Sequence, residues 1–195
     1  MEMKMQTVMV VGVGALGSHA IQFLRGAARI RAIDFDRVEQ KNTLSQFHPR
    51  NSVGKNKAQA LQQAMQFLWG IKIEVIPHKL VQGNAQVVLK GADLVLDCLD
   101  NGASREILQK AVRQAGIPCL HGALSAGGMF GRVIWDDLFN IDYESGEGIA
   151  TCEDGAFLPF IGLVSTYLAR SAQAWLETGK QLSFQVYPSA PATRI

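Results

Sequence analysis

The sequence predicts an α/β fold: a Rossmann-like, mostly parallel β-sheet with helices on both faces, extended by C-terminal strands and a long helix. Three observations predict it. Short apolar runs alternate with segments of helical period between residues 7 and 121, the pattern of repeated βαβ units. The run 92–98 is almost continuously apolar, as a strand covered on both faces must be. The first run ends in a glycine-rich turn, GVGALG at 12–17, set between strand and helix.

Thr7–Val11 is a compact β-rich run that stops at glycine. Residues 16–28 suit a helix whose end Gly26 loosens, and 29–35 reads as the second strand. The polar stretch 36–54 carries DRVEQKN and HPRNSVG and predicts loop with short helical turns. Residues 55–69 set Ala58, Leu61, Met65 and Leu68 at helical spacing. A strand over 71–76 and a short helix over Ala85–Leu89 come next, followed after the apolar strand by a helix over 103–115 and a strand over 117–121. Beyond Gly128 the pattern changes to a strand over 129–135, an acidic loop DDLFNIDYESGEG, a long helix over 156–178 and a last strand over 181–187. Phe157, Phe160, Ile161, Val164 and Leu168 form the long helix's expected core side. The tail YPSAPATRI is expected to be poorly ordered or packed against a partner. No linker divides the chain, so residues 1–195 are expected to form a single domain.

Composition narrows the class. With 48% apolar and 18% charged residues the chain has ample material for a core. A net charge of +2 without a basic stripe argues against a nucleic-acid partner. The apolar runs at the N-terminus and over 156–169 are too short for a signal peptide or membrane span, so a cytoplasmic protein is expected. Cys98, Cys119 and Cys152 are too few and too scattered for a disulfide scaffold or an all-cysteine zinc site. Cys98 and Cys119 lie in apolar strands and are expected in the core, as are the tryptophans, in the core or an interface. His19, His48, His78 and His121 show no metal-ligand spacing.

Gly12, Gly14 and Gly17 form a G-x-G-x-x-G, in which the first glycine permits the turn, the second lets phosphate approach the backbone and the third lets the helix pack closely. The helix start then offers N–H groups to phosphate. Asp34, twenty residues beyond Gly14 at a strand end, suits ribose hydroxyls. These features alone also fit an NAD-dependent oxidoreductase. Lys57 and Asp100 favour ATP, because lysine suits a triphosphate and an aspartate at a strand end suits Mg²⁺.

Taken together, GVGALGS (12–18), DFDRVEQKN (34–42), GKNKA (54–58), LVLDCLDN (94–101) with Arg105, and TCEDGAFLPFIGLVSTYLARSAQAW (151–175) resemble the adenylating domain of the E1-like superfamily, in its ThiF/MoeB/HesA branch. The resemblance implies ATP- and Mg²⁺-dependent adenylation of the C-terminal glycine carboxylate of a ubiquitin-like or sulfur-carrier protein ending in Gly-Gly, by a homodimer. It implies that Gly12, Gly14 and Gly17 line the phosphates, Asp34 holds the ribose, Asn42 and Lys57 contact phosphates, and Asp100 coordinates Mg²⁺. Arg105 is implied to support the site by pairing, and Cys152, in T-C-x-x-G, to be the reactive thiol. Two departures stand out. The family's N-L-x-R-Q is Asn42-Thr43-Leu44-Ser45-Gln46 here, so Ser45 replaces a phosphate-binding arginine and Arg50 is the candidate substitute. The C-x-x-C pairs of many relatives are missing, so no structural zinc is expected. A degenerate, non-catalytic nucleotide- or partner-binding module of the same fold is the alternative these departures raise.

Overall fold

The computed structural model describes residues 5–141 and 155–195. Its sheet has eight strands in the order β3-β2-β1-β4-β5-β6-β7-β8. The strands β1 (Thr7–Val11), β2 (Arg29–Ile33), β3 (Glu74–Ile76), β4 (Leu94–Asp97) and β5 (Cys119–Leu124) run parallel. The strands β6 (Gly131–Trp135), β7 (Phe184–Val186) and β8 (Thr193–Arg194) add on antiparallel.

Successive side chains of a strand face opposite sides, so a doubly covered strand must be apolar throughout. Val8 and Val10 of β1 pack with α1 (Ala15–Phe23), α2 (Lys57–Trp69) and α5 (Leu158–Thr178), through Ile21, Leu61, Val164 and Leu168 among others. Met9 and Val11 face the other layer, α3 (Ala85–Leu89) and α4 (Gly102–Ala115), through Leu89 and Leu108. The core side expected of the long helix is buried at Phe160, Ile161, Val164 and Leu168, and Phe157 is partly buried against it.

Several boundaries differ from expectation for physical reasons. The first helix stops at Phe23, and the chain turns through Gly26 at φ +82°. The second helix starts at Lys57 because Asn56 caps it, its side chain accepting from Gln59 N. Only the second half of 71–76 is strand; Ile71 N–H instead donates to Met65 O, and Ile73 O accepts from Gln62. Pairing with β6 extends β5 to Leu124. The tail, expected to be loose or held by a partner, instead supplies β8, with Phe184 opposite Arg194 and Ile195 N–H bonded to Ser183 O. Trp135 is core and Trp175 packs partly buried against it, but Trp69 is exposed enough to stack on Phe47 beneath Arg25. No helix among the described residues is long and apolar enough to cross a membrane.

Candidate nucleotide-binding site

Strand β1 lies between β2 and β4, so the chain winds outward to β3 and then crosses back to the other side of β1. Such a reversal opens a crevice at the carboxyl ends of the central strands. Leaving those ends are Asp34 after β2, Gly12 after β1 and Cys98–Leu99–Asp100 after β4. Each glycine of the loop has its own reason. Gly12 has φ +89°, and a Cβ there would lie 2.7 Å from Cys98 O. A Cβ on Gly17 would lie 1.9 Å from Gly12 O. Gly14, the N-cap of α1, has φ −82°, and a Cβ there would meet nothing nearer than Gln46 Nε2 at 4.0 Å. Two glycines close the loop, and the third leaves its backbone open beside a helix N-terminus, where a phosphate fits.

Asp34 is buried and does more than the sequence suggested. Its Oδ2 accepts from Val13 N–H at 2.7 Å and its Oδ1 from Asp36 N–H at 2.8 Å, so it braces the glycine loop from the next strand. Burial pushes its pKa up, against the backbone N–H groups and Lys57, which favour the carboxylate. Asn56, unnoticed in the sequence, donates to Asp34 O at 2.9 Å and Asp36 O at 3.2 Å while capping α2. That cap places Lys57 at the start of the helix, where it is buried with Nζ 3.3 Å from Asp36 Oδ2. An N-cap asparagine before an amphipathic run is a legible signal; its second use as a tie to the neighbouring strand is not.

The segment after β2 is fastened over the loop. Asn42 is buried and its Oδ1 accepts from Glu39 N–H at 2.8 Å, capping a short 3₁₀ turn, Gln40–Leu44. Ser45 is fully buried, and its carbonyl accepts from His19 Nε2 at 3.1 Å. His19 Nδ1 accepts from Gln22 at 3.0 Å, so the ring is neutral, and burial lowers its pKa. Phe47 N–H donates to Ser18 Oγ at 2.9 Å, and His48 Nε2 donates to Val13 O at 2.9 Å. Arg50 stands exposed on the next 3₁₀ turn, Arg50–Ser52, and among the described residues it makes no ion pair with the site.

The β4 end carries the remaining groups. Asp100 is exposed and accepts from Asn101 Nδ2 at 3.2 Å. Asn101, not Asp100, caps α4, accepting from Ser104 N–H at 2.9 Å. An exposed carboxylate at the mouth of the crevice suits a hydrated divalent cation. Beneath it, Arg105 pairs with Asp97 Oδ2 at 2.9 Å and donates to Leu99 O and to Gly122 O. His121 is fully buried between Asp97 at 2.7 Å and Asp136 at 3.0 Å, and stacks on Phe139 at 4.0 Å. Burial opposes its charge, but hydrogen bonds to Asp136 and Asp97 outweigh it and push the pKa up to about 11. Asp136, despite burial, is brought down to about 2 by His121, Arg113 and Gln109. Burial pushes the thiols of Cys98 and Cys119 up, which makes both inert, and Cys152 lies outside the described residues.

The chain has relatives among known proteins. The chain is 32% identical over 180 residues to the adenylyltransferase and sulfurtransferase UBA4 of Lodderomyces elongisporus, covering 86% of this chain and 40% of that protein. It is 34% identical over 126 residues to the sulfur carrier protein adenylyltransferase of Thermus thermophilus, covering 63% of this chain and 46% of that one. It is 36% identical over 124 residues to the SAMP-activating enzyme E1 of Haloferax volcanii, with 60% and 45% covered. The chain thus spans less than half the length of these relatives. Among solved structures, Escherichia coli MccB with ATP superposes with a TM-score of 0.72 at 14% identity, covering 97% of this chain and 62% of that one. PaaA superposes with a TM-score of 0.75 at 14% identity, over 97% and 63%. Both share the fold. The profile of the ThiF family matches residues 2–185, nearly the whole run from before the glycine loop through β7, and the chain belongs to the ThiF family.

Proposed function

We propose that this chain is an ATP-dependent adenylyltransferase that activates the C-terminal glycine carboxylate of a ubiquitin-like or sulfur-carrier protein. One observation carries the reading: Lys57, the open Gly14 backbone and Asp100 belong to elements that meet at the carboxyl ends of β2, β1 and β4. A hydride-transfer site for NAD needs neither the lysine nor the strand-end carboxylate. The names of the relatives support adenylation of a carrier protein.

In this reading the loop N–H groups and Lys57 bind and orient the triphosphate, and the region around Asp34 receives the ribose. The carrier's carboxylate oxygen forms a bond to the α-phosphorus while the bond from that phosphorus to the bridging oxygen breaks. Pyrophosphate leaves with the electron pair, and an acyl-adenylate remains. Negative charge grows on the phosphate oxygens, which Lys57 and the N–H groups stabilise. Asp100 would hold Mg²⁺, whose charge would offset that of the phosphates. Cys152 would then displace AMP to give a thioester with the carrier. A homodimer, a carrier tail ending in Gly-Gly and a cytoplasmic setting complete the proposal. ATP–pyrophosphate exchange, measured with and without a β-grasp carrier ending in Gly-Gly, tests it. Carrier-dependent exchange is the expected result, and exchange absent with every such carrier overturns it.

A second reading, a non-catalytic nucleotide-binding member, draws on Ser45. Its full burial leaves no cation at the position where the family's arginine stands, and Arg50 is exposed beyond it. ATP·Mg²⁺ binding without exchange is the outcome that favours it.

A further inference from the structure

Val13 lies between the first two glycines of the loop, and side chains from two other segments hold both of its backbone polar groups. Its N–H donates to Asp34 Oδ2 at 2.7 Å, and its carbonyl accepts from His48 Nε2 at 2.9 Å. In a trans peptide the C=O and the following N–H point in opposite directions. Turning the Val13 carbonyl onto His48 therefore turns the Gly14 N–H the other way. Gly14 is the N-cap of α1, and the first N–H groups of a helix have no intrahelical acceptor. The direction of that N–H sets whether the loop presents a donor or a carbonyl oxygen to an incoming phosphate.

The histidine is built for one bond. It is 4% exposed, and its Nδ1 is buried without a partner among the described residues. An apolar side chain of similar size would fill the same space without burying a bare nitrogen, so packing alone does not account for an imidazole here. Its tautomer is set by its partner, because a carbonyl oxygen requires Nε2 to carry the proton. Its backbone is also anchored, since residues 45–48 are bolted to α1 through Phe47 N–H to Ser18 Oγ and His19 to Ser45 O. A donor on a fixed arm can hold a loop carbonyl within the small tolerance that oriented anion binding needs.

We propose that His48 is a positioning residue for phosphate recognition: its Nε2–H holds the Val13 carbonyl so that the Gly14 N–H faces the phosphates of a bound nucleoside triphosphate. The inference rests on the nucleotide reading above, and its test separates the two.

Methionine and glutamine have the same length and differ in the amide, so His48→Met removes the donor and His48→Gln keeps one where Nε2 stood. Three properties are measured on the full-length chain: the Gly14 amide resonance and its hydrogen exchange without nucleotide, the ATP·Mg²⁺ Kd by calorimetry, and the melting temperature. His48→Met is expected to shift the Gly14 resonance, speed its exchange and raise Kd about tenfold, with His48→Gln restoring all three toward wild type. A Gly14 resonance and Kd unchanged in His48→Met overturn the proposal. So does an equal loss of melting temperature and affinity in both variants, the mark of a purely structural role. If wild type binds no ATP, the nucleotide reading falls and the Gly14 resonance alone decides the clamp. If neither variant folds, the nitrogen shifts of the wild-type imidazole decide: a proton on Nε2 supports the clamp and one on Nδ1 overturns it.

Discussion

Lys57 Nζ lies 3.3 Å from Asp36 Oδ2, with the lysine side chain 10% exposed and the aspartate 47%. The buried lysine beside the glycine loop is thus already engaged by a carboxylate. A phosphate must compete with Asp36 for the lysine. Lys57→Ala is expected to raise the ATP·Mg²⁺ Kd on the order of tenfold or more, the scale of a charged hydrogen bond. Asp36→Asn is expected to lower Kd about threefold at low salt, with the gain fading as ionic strength rises. Calorimetric titration across a salt series checks both signs.

Gly14 and Gly17 separate binding from folding. Alanine at Gly17 puts its Cβ 1.9 Å from Gly12 O, which the loop relieves only by opening. Gly17→Ala is expected to lower stability by roughly 2–4 kcal/mol, the range for overpacking against a fixed backbone. Gly14→Ala meets no atom nearer than 4.0 Å, so its denaturation midpoint is expected to fall much less than that of Gly17→Ala while ATP binding weakens at least tenfold. Urea titration and calorimetry on the same preparations check the pair.

The alternation of strand and helix, the glycine turn and the positions of Asp34, Lys57 and Asp100 were legible because each depends on local spacing. The ties that hold the site were not, because they cross the sequence. Asp34 braces Val13 from 21 residues away and His48 holds the same residue from 35 away. His48 and His121 are both buried, and burial disfavours charge on both, yet their partners set opposite protonation states. At His48 burial, aided by Lys57, outweighs the Val13 carbonyl bond and the pKa falls to about 4; at His121 the hydrogen bonds to two carboxylates outweigh burial and the pKa rises to about 11. The β8 pairing was hidden for the same reason, since the tail's two-residue strand Thr193–Arg194 carries no periodicity of its own.

Asp100 is the exposed carboxylate at the β4 end, and no ion pair among the described residues engages it. Asp100→Asn is expected to leave the melting temperature unchanged and to raise the Mg²⁺ concentration needed for half-maximal ATP binding by about tenfold, with excess Mg²⁺ restoring part of the affinity. Titrating Mg²⁺ at fixed ATP reads this directly, and an unchanged midpoint would remove Asp100 from the metal's coordination.

Arg105 joins the floor of the site to the core. Its guanidinium holds the Asp97 carboxylate, itself fully buried, together with the carbonyls of Leu99 and Gly122. Removing it leaves the Asp97 carboxylate to His121 and takes a donor from two carbonyls, so Arg105→Ala is expected to cost roughly 1–3 kcal/mol. Arg105→Lys is expected to recover little, because a single ammonium cannot reproduce a planar fork serving three acceptors. Chemical denaturation gives both values.

The histidines make stability depend on pH from two sides. His48 has a folded pKa of about 4 against an ordinary 6.5, chiefly through burial. Between those values the unfolded chain takes up a proton that the folded chain refuses, so stability falls as pH drops from 6.5 toward 4, and His19 adds to the same limb. His121 is the reverse, with a folded pKa of about 11, so its contribution is whole below 6.5 and is lost as pH rises from there to 11. Asp136, at about 2 folded against 3.8, contributes above 3.8 and loses its share as pH falls to 2. The urea midpoint is therefore expected to peak between the acid and alkaline limbs. His121→Asn should flatten the alkaline limb, leave the limb between 6.5 and 4, and shrink the Asp136 share below 3.8. His48→Met should shrink the acid limb between 6.5 and 4 to the share that His19 supplies and leave the alkaline one. Midpoints measured for the three proteins across pH separate the two histidines, because each variant removes one limb by a different amount and the buried pair of carboxylates around His121 has no counterpart at His48.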